Sequence, residues 1–429
     1  MKISRALFAT LLCIGASPLA QAERVLLTDA YVYDVDKERF NTGQSVLIED
    51  GAIVGVDAIE ALDLTGEETK YALNGAYLLP GLSDSHVHLT SDADAHGYRR
   101  LAISSQRATI NGVVNAKKTL MAGFTTVRNV GAPVYADVAL RDAINDGDVP
   151  GPRMLVSGPS LGITGGHCDS NLLPFEFHEK AEGVADGPWA VRQKVRQNVK
   201  YGADVIKFCG TGGVLSKGTK IGAQQFTLEE MKALVDEAHL LGLKVAVHAH
   251  GTDGIAAAVE AGVDSVEHSS LIDDATIKAA KKKGTFLSMD VYVSDYILSE
   301  GEKVGILEES LNKERQVGRA QRERFQAAVK AGANMAYGTD AGVYPHGTNA
   351  RQFAYMVEWG MTPAQAIYAS TAGNAELFGL SDKIGKIEAG KQADIIAVGA
   401  NPLENIRELE DVDFVMKDGV IFLDELSEK

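Results

Sequence analysis

Apolar side chains near the start of the chain come in short runs broken by turn-forming residues. Positions 25–28, 30–35, 45–49 and 52–56 read as strands, and Glu49-Asp50-Gly51 supplies a hairpin turn between the last two. The same texture returns near the other end. Residues 393–398 form a buried-type strand, and 414–416 and 420–422 flank the turn Lys417-Asp418-Gly419. Two β-rich ends around one central block predict a small β-sandwich domain formed by both termini, with its parts at 23–79 and 376–429.

The block 80–375 has a different rhythm. Apolar runs recur at 124–130, 154–158, 205–208, 245–249, 265–268, 285–289 and 335–337, and Pro80-Gly81-Leu82 leads into an earlier one beside His86. Helical patterns fill the gaps. The pattern at 227–241 opens with a capping box, Thr227-Leu228-Glu229-Glu230, and stops at Gly242. Those at 255–260 and 312–330 are respectively short and Ala-rich, and long with one charged face. Strands alternating with helices predict an α/β fold, here a TIM (β/α)8 barrel. An open doubly wound sheet is the alternative, and it would concentrate chemistry at one switch point. Polar residues end nearly every run, which suits a barrel mouth. No fixed-period repeat or low-complexity tract interrupts the pattern.

Composition refines this picture. A chain of 429 residues has room for a barrel of ~250 residues and a smaller appendage. With 45% hydrophobic and 23% charged residues, a folded globular protein is expected. The net charge of −16 argues against nucleic acid as a partner, because phosphate neutralisation needs clustered Lys and Arg. Lys2 and Arg5, an apolar stretch at 6–16, Pro18 and Ala20-Gln21-Ala22 make residues 1–22 a signal peptide, cut after Ala22. The apolar stretch is too short to span ~30 Å of hydrocarbon, so no membrane anchor is expected after cleavage. Leu12 before Cys13 argues against a lipid attachment there. The mature protein is thus expected in the periplasm or outside the cell. Cys168 and Cys209 remain; in an oxidising compartment they could pair, but two free, partly buried thiols are expected.

Six ligand-type side chains stand at the C-terminal ends of five separate strand-like runs. His86 and His88 lie two residues apart, so strand alternation puts both imidazoles on one face. His248, His268 and Asp340 each end a run, and Lys207 interrupts the apolar Val205-Ile206-Lys207-Phe208. A lone ammonium is costly to bury. Lys207 is therefore either paired with a carboxylate such as Asp340, or neutral and carboxylated by CO2 into a carbamate able to bridge two cations. Barrel enzymes assemble their sites at this end of the strands. The set predicts two divalent metal ions, most naturally zinc.

The chain resembles the amidohydrolase superfamily, specifically its binuclear members with a carboxylated lysine. The resemblance rests on 80–88, Pro-Gly-Leu-Ser-Asp-Ser-His-Val-His, on the four ligand positions Lys207, His248, His268 and Asp340, and on 385–394, Gly-Lys-Ile-Glu-Ala-Gly-Lys-Gln-Ala-Asp. Thr164-Gly165-Gly166-His167 and Gly210-Thr211-Gly212-Gly213-Val214 are similar to the Xaa-Pro dipeptidase-like and carboxypeptidase-like branch. That likeness implies hydrolysis of dipeptides or N-acyl amino acids. His86, His88 and Asp340 would hold one metal and His248 and His268 the other, with carboxylated Lys207 and a hydroxide bridging them. Asp340 would carry the proton from the attacking water to the leaving amine. His167 becomes a candidate for binding the oxyanion and His250 for orienting substrate. Ser91, Lys217 and Tyr292 are further candidate substrate contacts, the last two for a free carboxylate.

Other functions compete. A deaminase would need a Glu near the strand-five histidine, but His248 is followed by Ala249-His250-Gly251-Thr252-Asp253. An imidazolonepropionase-like cyclic amide hydrolase or a lactone hydrolase is a nearer rival. A catalytically dead barrel acting as a binding protein would be expected to lose ligands, and all six are present. Side-chain preference, metal identity and homo-oligomer formation stay open at this level.

Overall fold

The computed structural model describes residues 24–426, so the expected leader lies outside the described residues. Strands β1 (Arg24–Asp34), β2 (Arg39–Glu49), β3 (Ala52–Asp57) and β4 (Thr69–Pro80) come first. Eight strands of two to six residues follow. They are β5 (Leu82–Val87), β6 (Phe124–Asn129), β7 (Arg153–Val156), β8 (Val205–Cys209), β9 (Lys244–Ala249), β10 (Ser265–His268), β11 (Phe286–Ser288) and β12 (Met335–Ala336). The chain closes with β13 (Ile395–Val398), β14 (Phe414–Lys417) and β15 (Val420–Asp424).

Both termini build one seven-stranded sheet in the order β15-β14-β13-β4-β1-β2-β3. The seam is β13 against β4, antiparallel, with Ile395 opposite Pro80 and Ala397 opposite Leu78. Alternation divides the side chains between two cores. Leu78, Ile395, Ala397 and Phe414 join Val25, Val46, Ile48 and Ile53 in the sheet's own cluster. Their neighbours Leu79, Ile396 and Val415 join the central core instead. The seam therefore welds the terminal sheet to the middle of the chain.

The middle is α/β with parallel sheets. Strands β5-β6-β7 form one sheet and β8 to β12 another, all parallel neighbours. Backbone hydrogen bonds run between the edges of the two. Cys209 N donates to Leu161 O at 2.9 Å and Leu161 N to Lys207 O at 2.8 Å, past the end of β7. On the other side, Ser85 N reaches Tyr337 O and His88 N reaches Ala341 O, each at 2.8 Å. Most positions of these strands are buried, polar ones included, because both faces are covered. The connecting helices follow their local signals. Thr227 and Glu230 close a reciprocal capping box at the start of helix Leu228–Leu240. The helices expected at 255–260 and 312–330 extend to Thr252–Ala261 and Glu308–Ala331.

Candidate metal centre

The six ligand-type residues converge at the C-terminal ends of the parallel strands. His86 and His88 both point inward, and each Nε2 lies 3.4 Å from Asp340 Oδ1. Ligand atoms of His86, His88 and Asp340 all fall within 4.8 Å of one another, and so do those of His248, His250 and His268. The rings of His86 and His268, 5.0 Å apart, join the two groups. Lys207 is buried in the same cavity, and no ion pair joins it to a carboxylate among the described residues.

Hydrogen bonds on the outer side fix the direction of the imidazoles. Glu267 takes His86 Nδ1 at 3.1 Å, and Arg128 in turn donates to Glu267 at 2.8 Å and to Ser85 O at 2.7 Å. Asp290 faces His268 Nδ1 at 2.9 Å and accepts from Gln321 at 2.6 Å. The carbonyl of Gly131 lies 3.3 Å from His88 Nδ1. Anchoring Nδ1 leaves Nε2 of each ring for the centre, the arrangement of metal-ligating histidines. His268, Ser269 and Asp340 have φ of 69°, 51° and 57°, left-handed values that non-glycine residues hold only when their surroundings enforce them.

Electrostatics favour neutral donors. Burial pushes His86 down to about 4 and holds His248 and His250 well below the ordinary imidazole range. His268 differs: burial opposes its protonation, but the Asp290 and Asp340 carboxylates together raise it. Burial brings Lys207 down to about 8, within reach of the neutral amine that carboxylation requires. Asp340 is held low despite burial, through His86 and His88. His248 Nε2 is buried without a hydrogen-bond partner among the described residues. An orphaned buried acceptor costs about 1–3 kcal/mol, and a coordinated cation would satisfy it. The donor set of imidazoles, a carboxylate and an unpaired lysine therefore fits divalent metals of the zinc type.

The other expected residues separate into two groups. His167 stacks on His248 with centroids 4.0 Å apart, and its Nδ1 meets Ser216 Oγ at 2.8 Å. His250 Nδ1 meets Ser270 Oγ at 2.8 Å. Ser91 lines the cavity, and so does Lys217, whose ammonium donates to Tyr98 Oη at 2.8 Å. Tyr292 turns away. It is not among the cavity-lining residues, and its hydroxyl accepts from Arg351 at 3.1 Å. The rings of Tyr344 and Tyr355 hold it there, with centroids 5.0 and 5.3 Å away.

The two cysteines are paired, not free as expected. Cys168 and Cys209 form a disulfide with Cα atoms 5.8 Å apart. Leu161 hydrogen-bonds the backbone of Lys207 and Cys209, which brings the loop after it over the end of β8. The bridge ties the residue following His167 to the strand that carries Lys207. Gly213 covers the same spot: a Cβ there would lie 2.4 Å from His167 and 2.6 Å from His248. Sequence reading had not identified the positioning groups Glu267, Arg128 and Asp290. Glu267 stands directly before a metal-ligand candidate, where regular alternation would send it to the other face.

The centre opens into a cavity of about 770 Å³, within the size range of small-molecule sites. Loops around His167 and Val214–Lys217 form part of its wall. Comparison with known proteins agrees with this architecture. A crystal structure of a Xaa-Pro dipeptidase with bound methionine in the active site is 36% identical and superposes with a TM-score of 0.87, covering 94% of this chain and 100% of that one. A prolidase complexed with n-methylphosphonate-l-proline gives 29% identity and a TM-score of 0.86, with coverage of 94% and 100%. Ochratoxinase from Aspergillus niger is 34% identical over 369 residues, 80% of this chain and 75% of the relative. The model of the Amidohydrolase family matches residues 77–422, and with these ligands at these strand ends the chain belongs to that family, in its dipeptidase-like branch.

Proposed function

We propose that this protein is a two-metal peptidase that releases the C-terminal amino acid from dipeptides and N-acyl amino acids. The observation that carries the reading is the pair of interlocked ligand groups around unpaired Lys207, on the floor of a cavity sized for a small substrate. In this reading His86, His88 and Asp340 would hold one ion and His248 and His268 the other, with Lys207, as a carbamate, a ligand to be shared between them. Bound there, two zinc-type ions would supply Lewis acidity and a water acidic enough to be a nucleophile near neutral pH.

The protein's own groups do the rest. Asp340 accepts a proton at a carboxylate oxygen as water adds to the amide carbon, then passes it to the amide nitrogen as the C–N bond breaks. Ser216 engages His167 Nδ1, so Nε2 is the nitrogen that donates to the carbonyl oxygen as negative charge develops. His250 Nε2, buried beside it, orients the substrate's carboxylate.

The wider architecture belongs to the same reading. The hydrogen bonds joining β7 to β8 and β12 to β5 support a closed eight-strand barrel over 80–375. The hairpin after β2 packs Gly51 against Asp418 and Gly419 in the turn after β14, and Ile53 N in β3 donates to Lys391 O, just before β13, at 2.8 Å. Contact between distant strands of one sheet supports its folding into a sandwich of 23–79 and 376–429. The leader pattern and the disulfide both support a periplasmic or secreted location.

The test is release of free amino acid from a panel of dipeptides and N-acetyl amino acids by zinc-reconstituted protein, beside a panel of cyclic amides and lactones. Turnover of the first panel with about two metals per chain is expected. Turnover confined to the second panel would replace this reading with the ring hydrolase.

A further inference from the structure

Besides Asp290, the cavity is lined by Val293, Ile297, Glu314 and Val317, a group called its arm below. Val293 and Ile297 are one turn apart on helix Val293–Glu300. Glu314 and Val317 face them from helix Glu308–Ala331. All four are at least nine-tenths buried. The arm thus combines apolar side chains with one carboxylate.

Glu314 has no cationic partner among the described residues. The hydroxyl of Ser294 donates to it. The nearby cations are committed elsewhere. Arg322 donates to Asp295 at 2.6 Å and to Val291 O at 3.1 Å. Lys313 pairs with Glu309 at 3.0 Å and donates to Ser216 O at 2.6 Å. Besides Ser294, the groups facing Glu314 are Asp290, His268 and Arg322. Burial pushes the Glu314 carboxyl up to about 7, and Asp290 adds to that. Gly318 makes room for the arrangement: a Cβ there would stand 2.2 Å from Ser294 Oγ and 2.7 Å from Glu314 Oε1. A glycine within a long helix, a residue that helix interiors disfavour, keeps this carboxylate and its donor together.

We propose that the arm holding Glu314 selects substrates whose leaving amino acid carries a long cationic side chain, of the lysine or arginine type. The proposal rests on the peptidase reading above. An alkyl stem would lie against Val293, Ile297 and Val317, and the charged head would meet Glu314, a charge-assisted pair in a site sheltered from water. The arm hangs from the segment after β11, the strand next to β12. Asp340 follows β12 and protonates the leaving amine, so the arm takes the leaving residue and not the acyl one.

Two measurements test this, one of binding and one of turnover. Calorimetry compares L-arginine, L-citrulline and L-leucine on the zinc-loaded wild type and on Glu314→Gln. Kinetics compare Ala-Arg, Arg-Ala, Ala-citrulline and Ala-Leu. Arginine is expected to bind about tenfold or more tighter than its neutral isostere citrulline, the margin for a buried charged partner left unmet. The kcat/KM ratio of Ala-Arg to Ala-Leu should fall by a similar factor in Glu314→Gln. Equal binding of arginine and citrulline by the wild type overturns the proposal without any variant, and so does a preference for Arg-Ala over Ala-Arg. Tight, Glu314-dependent arginine binding without cleavage of any dipeptide would support the arm and sink the peptidase reading. Dipeptide cleavage indifferent to charge would do the reverse.

Discussion

Replacing both cysteines, Cys168→Ser with Cys209→Ser, removes one cross-link across a sequence separation of 41 residues. Closing a loop of that length withholds about 13 cal/mol/K from the unfolded chain, or about 4 kcal/mol at 25 °C. Unfolding some ~400 residues releases about 0.85 kcal/mol/K near the melting temperature, so the midpoint should drop by about 5 °C. Differential scanning fluorimetry should record the same drop for wild-type protein fully reduced with dithiothreitol. The agreement matters, since serine substitution and reduction perturb packing differently but remove the same cross-link. Activity should fall beyond what stability explains. The bridge fixes the residue after His167, whose ring lies 4.0 Å from that of His248. Two free thiols by titration per reduced chain lacking the leader and its Cys13, with a midpoint within about 1 °C of the oxidised protein, would refute the cross-link argument.

Three further changes probe the centre. Asp290→Asn weakens the acceptor behind His268, and metal retention against a chelator should fall about 10–100-fold. Gly213→Ala puts a methyl 2.4 Å from His167 and 2.6 Å from His248, so activity should collapse while circular dichroism stays native; an active variant would mean that the loop is free to move. Arg128→Met strips a buried carboxylate of its guanidinium and should destabilise by about 3–5 kcal/mol in denaturant titration, with the double change Arg128→Met, Glu267→Gln recovering much of the loss.

What the sequence disclosed was whatever a single residue or a short run encodes by itself. The capping box at Thr227 is closed by two side chains three residues apart, and it forms as read. The metal-ligand candidates were legible because each is an unusual residue type at the end of an apolar run, and parallel strands bring such ends together wherever each strand sits in the order. The pairing of Cys168 with Cys209 was not legible. It depends on a loop crossing back over β8, and 41 residues of intervening chain carry no record of that return. Tyr292 misled for a related reason. Its place after a strand end suggested the cavity, but packing on Tyr344 and Tyr355 set its direction.

The supporting groups were hidden by the same periodicity that exposed the ligands. Alternation makes Glu267 and His268 point opposite ways, so a reader who puts His268 inside must put Glu267 outside. The chain breaks the rule with φ of 69° at His268 and 51° at Ser269, and both side chains then serve the centre. Glu314 was hidden in a similar way. It lies in a helix rich in Lys, Arg and Glu, where a charge reads as solvated. Only the cavity wall opposite, with Val293, Ile297 and Ser294, makes its burial apparent. In both cases a carboxylate is held where sequence pattern says none should be. Burying one costs free energy unless something meets it. For Glu267 that partner is Arg128, within the fold. For Glu314 no such cation exists among the described residues, and a substrate's charged head is the group that completes the pair.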